Sequence, residues 1–196
     1  MQTALRNAYG NAAVQPQDKC ILVTGGNGRL NADVVVSVEM KDYVRFNRIG
    51  DEQIVDGIAI WPRNTGGGWI ENYPKRHYAN GVAKNQRTNE LYKPSVRMFK
   101  NARNCLIDRR LLSDQVAPSY FVECFLYNAP DDCFDGPANE IFHKVLTWMP
   151  VTDAALDPMV CQNGRIMLFG PSAQQWSKRA AITYVNALVD LWNDWS

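Results

Sequence analysis

From Asn31 to Glu39 the chain runs Asn-Ala-Asp-Val-Val-Val-Ser-Val-Glu, and this stretch constrains the fold more than any other. Side chains alternate between the two faces of a strand, so Val34, Val36 and Val38 share one face while Asp33, Val35, Ser37 and Glu39 share the other. The valine face is expected to be core. On the opposite face Asp33 begins the strand and Glu39 ends it, where a hard cation or a polar ligand can sit. The alternative is a solvated structural acid, because the sequence places no partner carboxylate beside Asp33.

The preceding residues give this strand a neighbour. Cys20 to Thr24 reads as a strand, Gly25-Gly26-Asn27-Gly28 as a turn that tolerates positive φ, and Leu30 to Val38 as the returning strand of a hairpin. The same glycines imitate the phosphate turn of an NAD(P)-binding short-chain dehydrogenase. Asn31 stands where the last glycine is needed, the following residues alternate with period two, and no Tyr-x-x-x-Lys occurs in the chain, so the hairpin is preferred. Upstream, Thr3 to Ala13 suits a short helix that Gly10-Asn11 or Pro16 ends.

Two further short strands are expected over Ile54 to Trp61 and Gly68 to Ile70, joined by an Asn64-Thr65-Gly66-Gly67 loop. Residues 72–85 are polar, with aromatics between Lys75, Arg76 and Lys84, and read as an irregular functional or surface loop. From Lys93 the period becomes helical: Val96, Phe99, Ala102 and Leu106 form an apolar arc, and Lys93, Arg97, Lys100 and Asn104 stack on the opposite side. Three like charges in one column, without acids between them, suit a polyanion. Ala117 to Asn128 is apolar nearly all round and should be a buried helix, inside which Glu123 needs a partner. A helix over Asn139 to Met149 follows. Ser172-Ala173-Gln174-Gln175 has the form of a capping box that opens a last helix through Trp195, with Trp176, Tyr184, Trp192 and Trp195 on its packing face.

A net charge of +1 gives no global attraction to nucleic acid or membrane, so a phosphate-binding surface has to be local. The five cysteines, Cys20, Cys105, Cys124, Cys133 and Cys161, are odd in number and widely spaced, which fits free thiols in a reducing cytoplasm. With no Cys-x-x-Cys and only His77 and His143 to assist, a zinc site is not expected. No apolar run reaches the roughly 20 residues of a membrane span, and the first residues lack a signal-peptide core.

Taken in order, several segments resemble a known family. They are Ala32-Asp33-Val34-Val35; Asp56-Gly57-Ile58 leading to Asn72-Tyr73-Pro74 and His77; Asn80-Gly81 with Lys84-Asn85; Lys93-Pro94-Ser95-Val96-Arg97-Met98-Phe99-Lys100; Ala117-Pro118-Ser119-Tyr120 with Glu123; and Phe169-Gly170 to Trp176. The family is that of the bacterial antiphage cyclic-oligonucleotide synthases, relatives of the animal cyclic GMP-AMP synthase and of oligoadenylate synthetase. The resemblance implies nucleotidyl transfer, in which two Mg²⁺ (or Mn²⁺) ions held by three carboxylates activate a ribose hydroxyl and stabilise departing pyrophosphate. It makes Asp33 the third carboxylate, catalytic and metal-binding, places Lys100 and Ser119 on the donor triphosphate, and gives Tyr120 a base to stack on. Lys93 and Arg97 join as nucleotide-binding residues through the basic column.

One departure is large. The family's Gly-Ser and Asp/Glu-x-Asp motifs precede the third carboxylate, whereas this chain contains no Gly-Ser and no Asp-x-Asp, and Asp18 is its lone acid before Asp33. A single carboxylate does not replace a bridging pair, because Mg²⁺ keeps most of its waters unless several anionic oxygens compete for them. The expectation is therefore an α+β chain: a partial nucleotidyltransferase-type antiparallel or mixed sheet over residues 1–88, then an oligoadenylate synthetase-like helical domain over 89–196. Its expected ligands are nucleoside triphosphates, and its expected partner is a missing N-terminal half or a second chain. The rival readings are a nucleotide-sensing module without catalysis and a structural partner that pairs through an exposed sheet.

Overall fold

A computed structural model describes residues 1–26, 28–64 and 68–195, the last without its side chain. Two compact units result, one from Met1 to Pro74 and one from Lys75 onward. Expected positions Asn27, Thr65, Gly66, Gly67 and the Trp195 side chain lie outside the described residues.

In the N-terminal unit α1 (Gln2–Tyr9) ends at Gly10, whose φ of 87° favours glycine, and a 3-10 turn leads into β1 (Val14–Pro16). β1 pairs with β2 (Ile21–Val23), and β2 with β3 (Ala32–Val34), all antiparallel, with Leu22 opposite Asp33. Pro16, which has no N–H to give, is tolerated because β1 is an edge. A strand thus follows the glycine turn where a dinucleotide-binding chain needs a helix, and the hairpin reading stands over the dehydrogenase one.

The returning strand is shorter than expected. It stops at Val34, and after Val35 and Val36 the chain starts β4 (Ser37–Phe46), which belongs to a second antiparallel sheet with β5 (Glu52–Ile60) and β6 (Ile70–Asn72). The valine face is therefore divided between two sheets. Val34 is half-buried on the face of Ile21, but Val36 is 54% and Val38 56% exposed, which corrects the expectation of a continuous core. The physical reason is coverage: α1 lies against β1 and β2 of the first sheet, whereas Val36 follows that sheet and Val38 lies in β4 of the second. Over the second sheet Tyr73 packs on Gly57, where a Cβ would stand 3.1 Å from its ring, and its hydroxyl donates to Asp42 at 3.1 Å.

The helical unit opens with the largest correction. Residues 72–85 are not a loop, because Pro74 to Arg87 forms the 14-residue helix α2. Proline suits a first helical position, where no N–H is needed. Buried Gly81, Lys84, Asn85 and Thr88 recur at helical spacing, so the face turned inward is polar and carries no apolar stripe to betray it. The boundary between units accordingly falls at Pro74, ahead of the 88/89 division expected from sequence. Asn89 and Glu90, both at positive φ, turn the chain into α3 (Tyr92–Asp108). α3 touches α4 (Ser119–Tyr127), α5 (Ala138–Trp148) and α7 (Lys178–Trp195). Its arc of Val96, Phe99, Ala102 and Leu106 is buried as expected, and Phe99 stacks on Phe142 at 4.5 Å between ring centroids. Burying such a ring stabilises by about 2–3 kcal/mol. Between α5 and α7 the single-turn α6 (Asp153–Leu156) interrupts an otherwise irregular path.

The last helix starts later than its capping-box pattern suggested. Ser172 Oγ and N do donate to Gln175 Oε1, at 2.9 and 3.2 Å, but they close a turn, and helix begins at Lys178. Ser177 supplies the cap, its Oγ accepting from Ala180 N at 3.4 Å. Pattern alone does not separate the two serines, because both precede helix-compatible residues.

Lys84 pins α2 to the rest of the unit. It is 3% exposed, donates to Ala129 O at 2.6 Å and Asp131 Oδ1 at 2.9 Å, and lies within 5.1–5.7 Å of the ring centres of Phe134, Tyr92 and Tyr127. Lys84→Ala should cost roughly 2–4 kcal/mol in chemical denaturation. Lys84→Met should cost less, since the rings accept an apolar stem and Asp131 keeps Arg87 at 2.7 Å. Equal losses in the two variants would place the stabilisation in the ion pair.

Candidate functional site

Around Glu123 the helical unit gathers polar groups from α2, α3, α4 and the loop after α6. α4 is apolar on nearly every side, with Phe121, Val122, Cys124, Phe125 and Leu126 buried, so the one carboxylate it carries has to be met by donors. Lys100 Nζ of α3 donates to Glu123 Oε2 at 2.8 Å. His77 Nε2 of α2 lies 3.2 Å from Oε1, and Gln162 Nε2 donates to the same oxygen at 3.3 Å. Gln162 is held from behind: it donates to His77 O at 3.0 Å and accepts from Tyr92 OH at 2.6 Å. Gly81 makes room for it, since a Cβ there would stand 2.5 Å from Gln162 Nε2.

The electrostatics follow from these contacts. The hydrogen bond from His77, aided by the one from Lys100, outweighs burial and holds the Glu123 carboxyl down at about 2. For His77, burial works to lower the pKa and is outweighed by hydrogen bonding toward Cys124 and Glu123, which raise it to about 9. Burial also pushes the Cys124 thiol far up, so Glu123 is the charged partner of the two.

An aromatic platform adjoins the ion pairs. The Tyr120 ring stacks on His77 with centroids 4.9 Å apart and planes 21° off parallel, and lies 5.8 Å from Trp176. Tyr120 remains 38% exposed. Ser119, exposed at the first position of α4, is one turn before Glu123 and so on the same face.

Of the residues singled out in the sequence, Lys100, Ser119 and Tyr120 thus meet in one place, around an acid and a histidine. The basic column is split: Lys93 Nζ stands 5.8 Å from the Tyr78 ring centre, while exposed Arg97 borders a separate groove of about 650 Å³ with Met98, Asn101, Phe142 and Trp192. Lys100 is not the unopposed cation that the column suggested, because its acid comes from another helix. Gln162 carried no signal in the sequence, being one glutamine in an irregular stretch.

Asp33 belongs to the N-terminal unit, where it is exposed and has the Cys20 thiol beside it. Partial burial and the Asp33 carboxylate both raise the pKa of that thiol. No three His, Cys, Asp or Glu side chains gather to hold a metal ion among the described residues. A two-cation centre does not fit the donor set that these residues present, for which one carboxylate is too few.

The paired His77 and Glu123 make stability pH-dependent. The folded pKa of His77, about 9, exceeds its ordinary 6.5, so the stabilisation is complete below about 6.5 and is lost as pH rises through 9. The thermal midpoint should fall across that window, and His77→Gln should flatten this part of the profile. At the acid end the same interaction, counted once, persists above the ordinary Glu value of 4.5 and is lost as pH falls through about 2.

Comparison with known proteins places this arrangement. Residues 79–193 match the cGAS/DncV-like nucleotidyltransferase C-terminal helical domain. The chain is 41% identical over 195 residues to a cyclic UMP-AMP synthase of Rhodothermus marinus, and 35% identical over 194 residues to the cyclic nucleotide synthase CdnE01 of Staphylococcus haemolyticus. It spans 65% and 63% of the lengths of these two relatives. Its structure is similar to that of the R. marinus CdnE c-UMP-AMP synthase with Apcpp and Upnpp, at a TM-score of 0.88 and 40% identity over the whole chain and 64% of that structure. It is also similar to the Elizabethkingia meningoseptica CdnE cyclic dinucleotide synthase with GTP and Apcpp, at a TM-score of 0.82 and 26% identity over 68% of that structure. An α+β fold with a helical C-terminal unit, a family match over most of that unit and this level of identity together establish that the chain belongs to the cGAS/DncV-like nucleotidyltransferase family.

Proposed function

We propose that this chain is the donor-gripping part of a nucleotidyltransferase that joins nucleoside triphosphates into cyclic or linear oligonucleotides, and that by itself it binds a triphosphate without turning it over. The observation that carries this reading is the convergence of Lys100, Ser119 and Tyr120 at one place in a unit similar to proteins solved with nucleotide analogues. Lys100, on a packed helix and fixed by Glu123, offers its ammonium to phosphate oxygens. Ser119 adds a hydroxyl on the same face, and Tyr120 an exposed aromatic surface for a base. Lys93 and Arg97 are further nucleotide-binding residues of this reading, Lys93 beside the Tyr78 ring and Arg97 at the edge of its own groove.

Asp33 is the third carboxylate of this reading, and the acids that would complete it come from polypeptide outside this sequence. The N-terminal unit has a surface suited to such a partner. β4 is an edge strand among the described residues, and Val36, Val38, Tyr43 and Phe46 are exposed along it and just before it. The same sparse donor set favours a second reading, a module that keeps the pocket and senses or sequesters nucleotides.

Incubated with Mg²⁺ or Mn²⁺ and all four nucleoside triphosphates, the chain alone should give no oligonucleotide by chromatography, and any cyclic or linear product would sink the reading. With a polypeptide that supplies the Gly-Ser and Asp-x-Asp motifs, product should appear, and Asp33→Ala should return it to background. Activity that survives that substitution removes Asp33 from the chemistry. In calorimetry Lys100→Glu should weaken triphosphate binding by roughly tenfold or more, and tight, metal-independent binding by the wild-type chain would favour the sensing module.

A further inference from the structure

Of the like charges on α3, Lys100 has its counter-charge on α4, and that acid is shared. Glu123 is the only charged residue of α4, and each of its oxygens faces a cation, Lys100 at 2.8 Å and His77 at 3.2 Å. We infer that Glu123 is a positioning residue of the nucleotide site, holding the Lys100 ammonium and the His77 ring so that a triphosphate meets a cation fixed in place. This rests on the nucleotide-binding reading above.

Two observations separate positioning from a casual surface pair. First, the carboxylate is itself fixed: Gln162, 2% exposed, donates to it at 3.3 Å while tied to Tyr92 and the His77 carbonyl, and Tyr92 OH lies 3.1 Å from Glu123 O. Secondly, the charges balance in a definite way. Lys100 and protonated His77 against one carboxylate leave a net charge of one positive unit. The groups that face His77 are Glu123, Cys124 and Tyr120 from α4, Lys100 of α3 through Glu123, and Gln162 from the loop, with Cys161 bonded behind Cys124. Burial raises both the Cys124 and Tyr120 groups far above their ordinary values, so neither contributes charge near neutrality. A site of this kind keeps its charge from mildly acidic to mildly basic pH. Without Glu123, burial and the Cys124 contact would remain, and His77 would lose the carboxylate that favours its charged form.

The test uses the whole chain. The chain has two histidines, so His143→Gln leaves His77 as a single imidazole to follow by NMR. His77 should titrate near 9, and Glu123→Gln should lower that value. Binding of inorganic triphosphate in metal-free buffer is then compared between Glu123→Gln and wild type at each pH, so that the titration of the ligand cancels. At pH 8 the variant should bind about threefold more weakly, because Lys100 is no longer held, and this ratio should fall by about threefold on going to pH 5 as His77 gains charge. Glu123→Asp, which keeps the charge, should restore the flat profile in part. If Glu123→Gln fails to fold by circular dichroism, Lys100→Met makes the same test from the other side: triphosphate binding is lost while His77 still titrates high. A normal titration of His77 with binding intact, or a pH-independent ratio, overturns the role of Glu123 alone. Failure of the wild-type chain to bind triphosphate at any pH overturns the nucleotide reading as well.

Discussion

A carboxylate within an apolar helix is the constraint on which the helical unit depends. Desolvating Glu123 is costly unless donors meet it, and the fold answers with groups from three other segments: His77 of α2, Lys100 of α3, and Gln162 of the loop after α6. Each donor brings its own backbone to a defined place. Asn80 donates to Gln162 O at 2.7 Å, and Arg76 to Asn163 O at 3.2 Å, so α2 is seated on that loop by polar contacts along its length. Breaking one partner of such a network leaves the others buried and unpaired, which makes the arrangement specific as well as stabilising.

The apolar core of the unit has a different character. α3 runs through it, and the rings of Phe99, Phe142 and Trp192 stack in sequence beside it, at 4.5 and 5.4 Å. That packing fixes α3 against α5 and α7, and the polar network fixes it against α2 and α4. Lys100 is thus held by a rigid helix on one side and a fixed carboxylate on the other, the kind of support that a phosphate-binding ammonium needs. The N-terminal unit contrasts with this. Its two three-stranded sheets leave Val36, Val38, Tyr43 and Phe46 exposed, with no comparable stacked core over them among the described residues.

Legibility in the sequence followed the hydrophobic pattern closely. α3, α4 and α5 announced themselves by apolar spacing, and the hairpin by period two and a glycine turn. α2 did not, because its inward face is His77, Asn80, Gly81, Lys84 and Asn85, residues that a hydropathy reading assigns to solvent. The valines from 34 to 38 misled in the opposite sense. Alternation reports that one face is apolar, and burial additionally requires something to lie upon it. The resemblance singled out Lys100, Ser119 and Tyr120, which the structure places on α3 and α4 around Glu123, and the position of Glu123 in an apolar helix made its need for a partner legible. Which partner it takes was not legible, since Lys100 is 23 residues away, His77 46 and Gln162 39.

What the sequence determined by itself is therefore local and compositional: the kind of each strongly periodic element, an acid that had to be neutralised, and the absence of Gly-Ser and Asp-x-Asp motifs. These properties depend on residues close together along the chain, which is where periodicity and spacing carry information. The tertiary structure alone decided that a polar stripe could be the buried side of a helix, and that one lysine of the basic column, Lys100, would share an acid from another helix with a histidine. It also decided where those two cations stand. Such outcomes depend on complementarity between distant segments, and a polar group is stable in the interior only when the other side of that contact is in place.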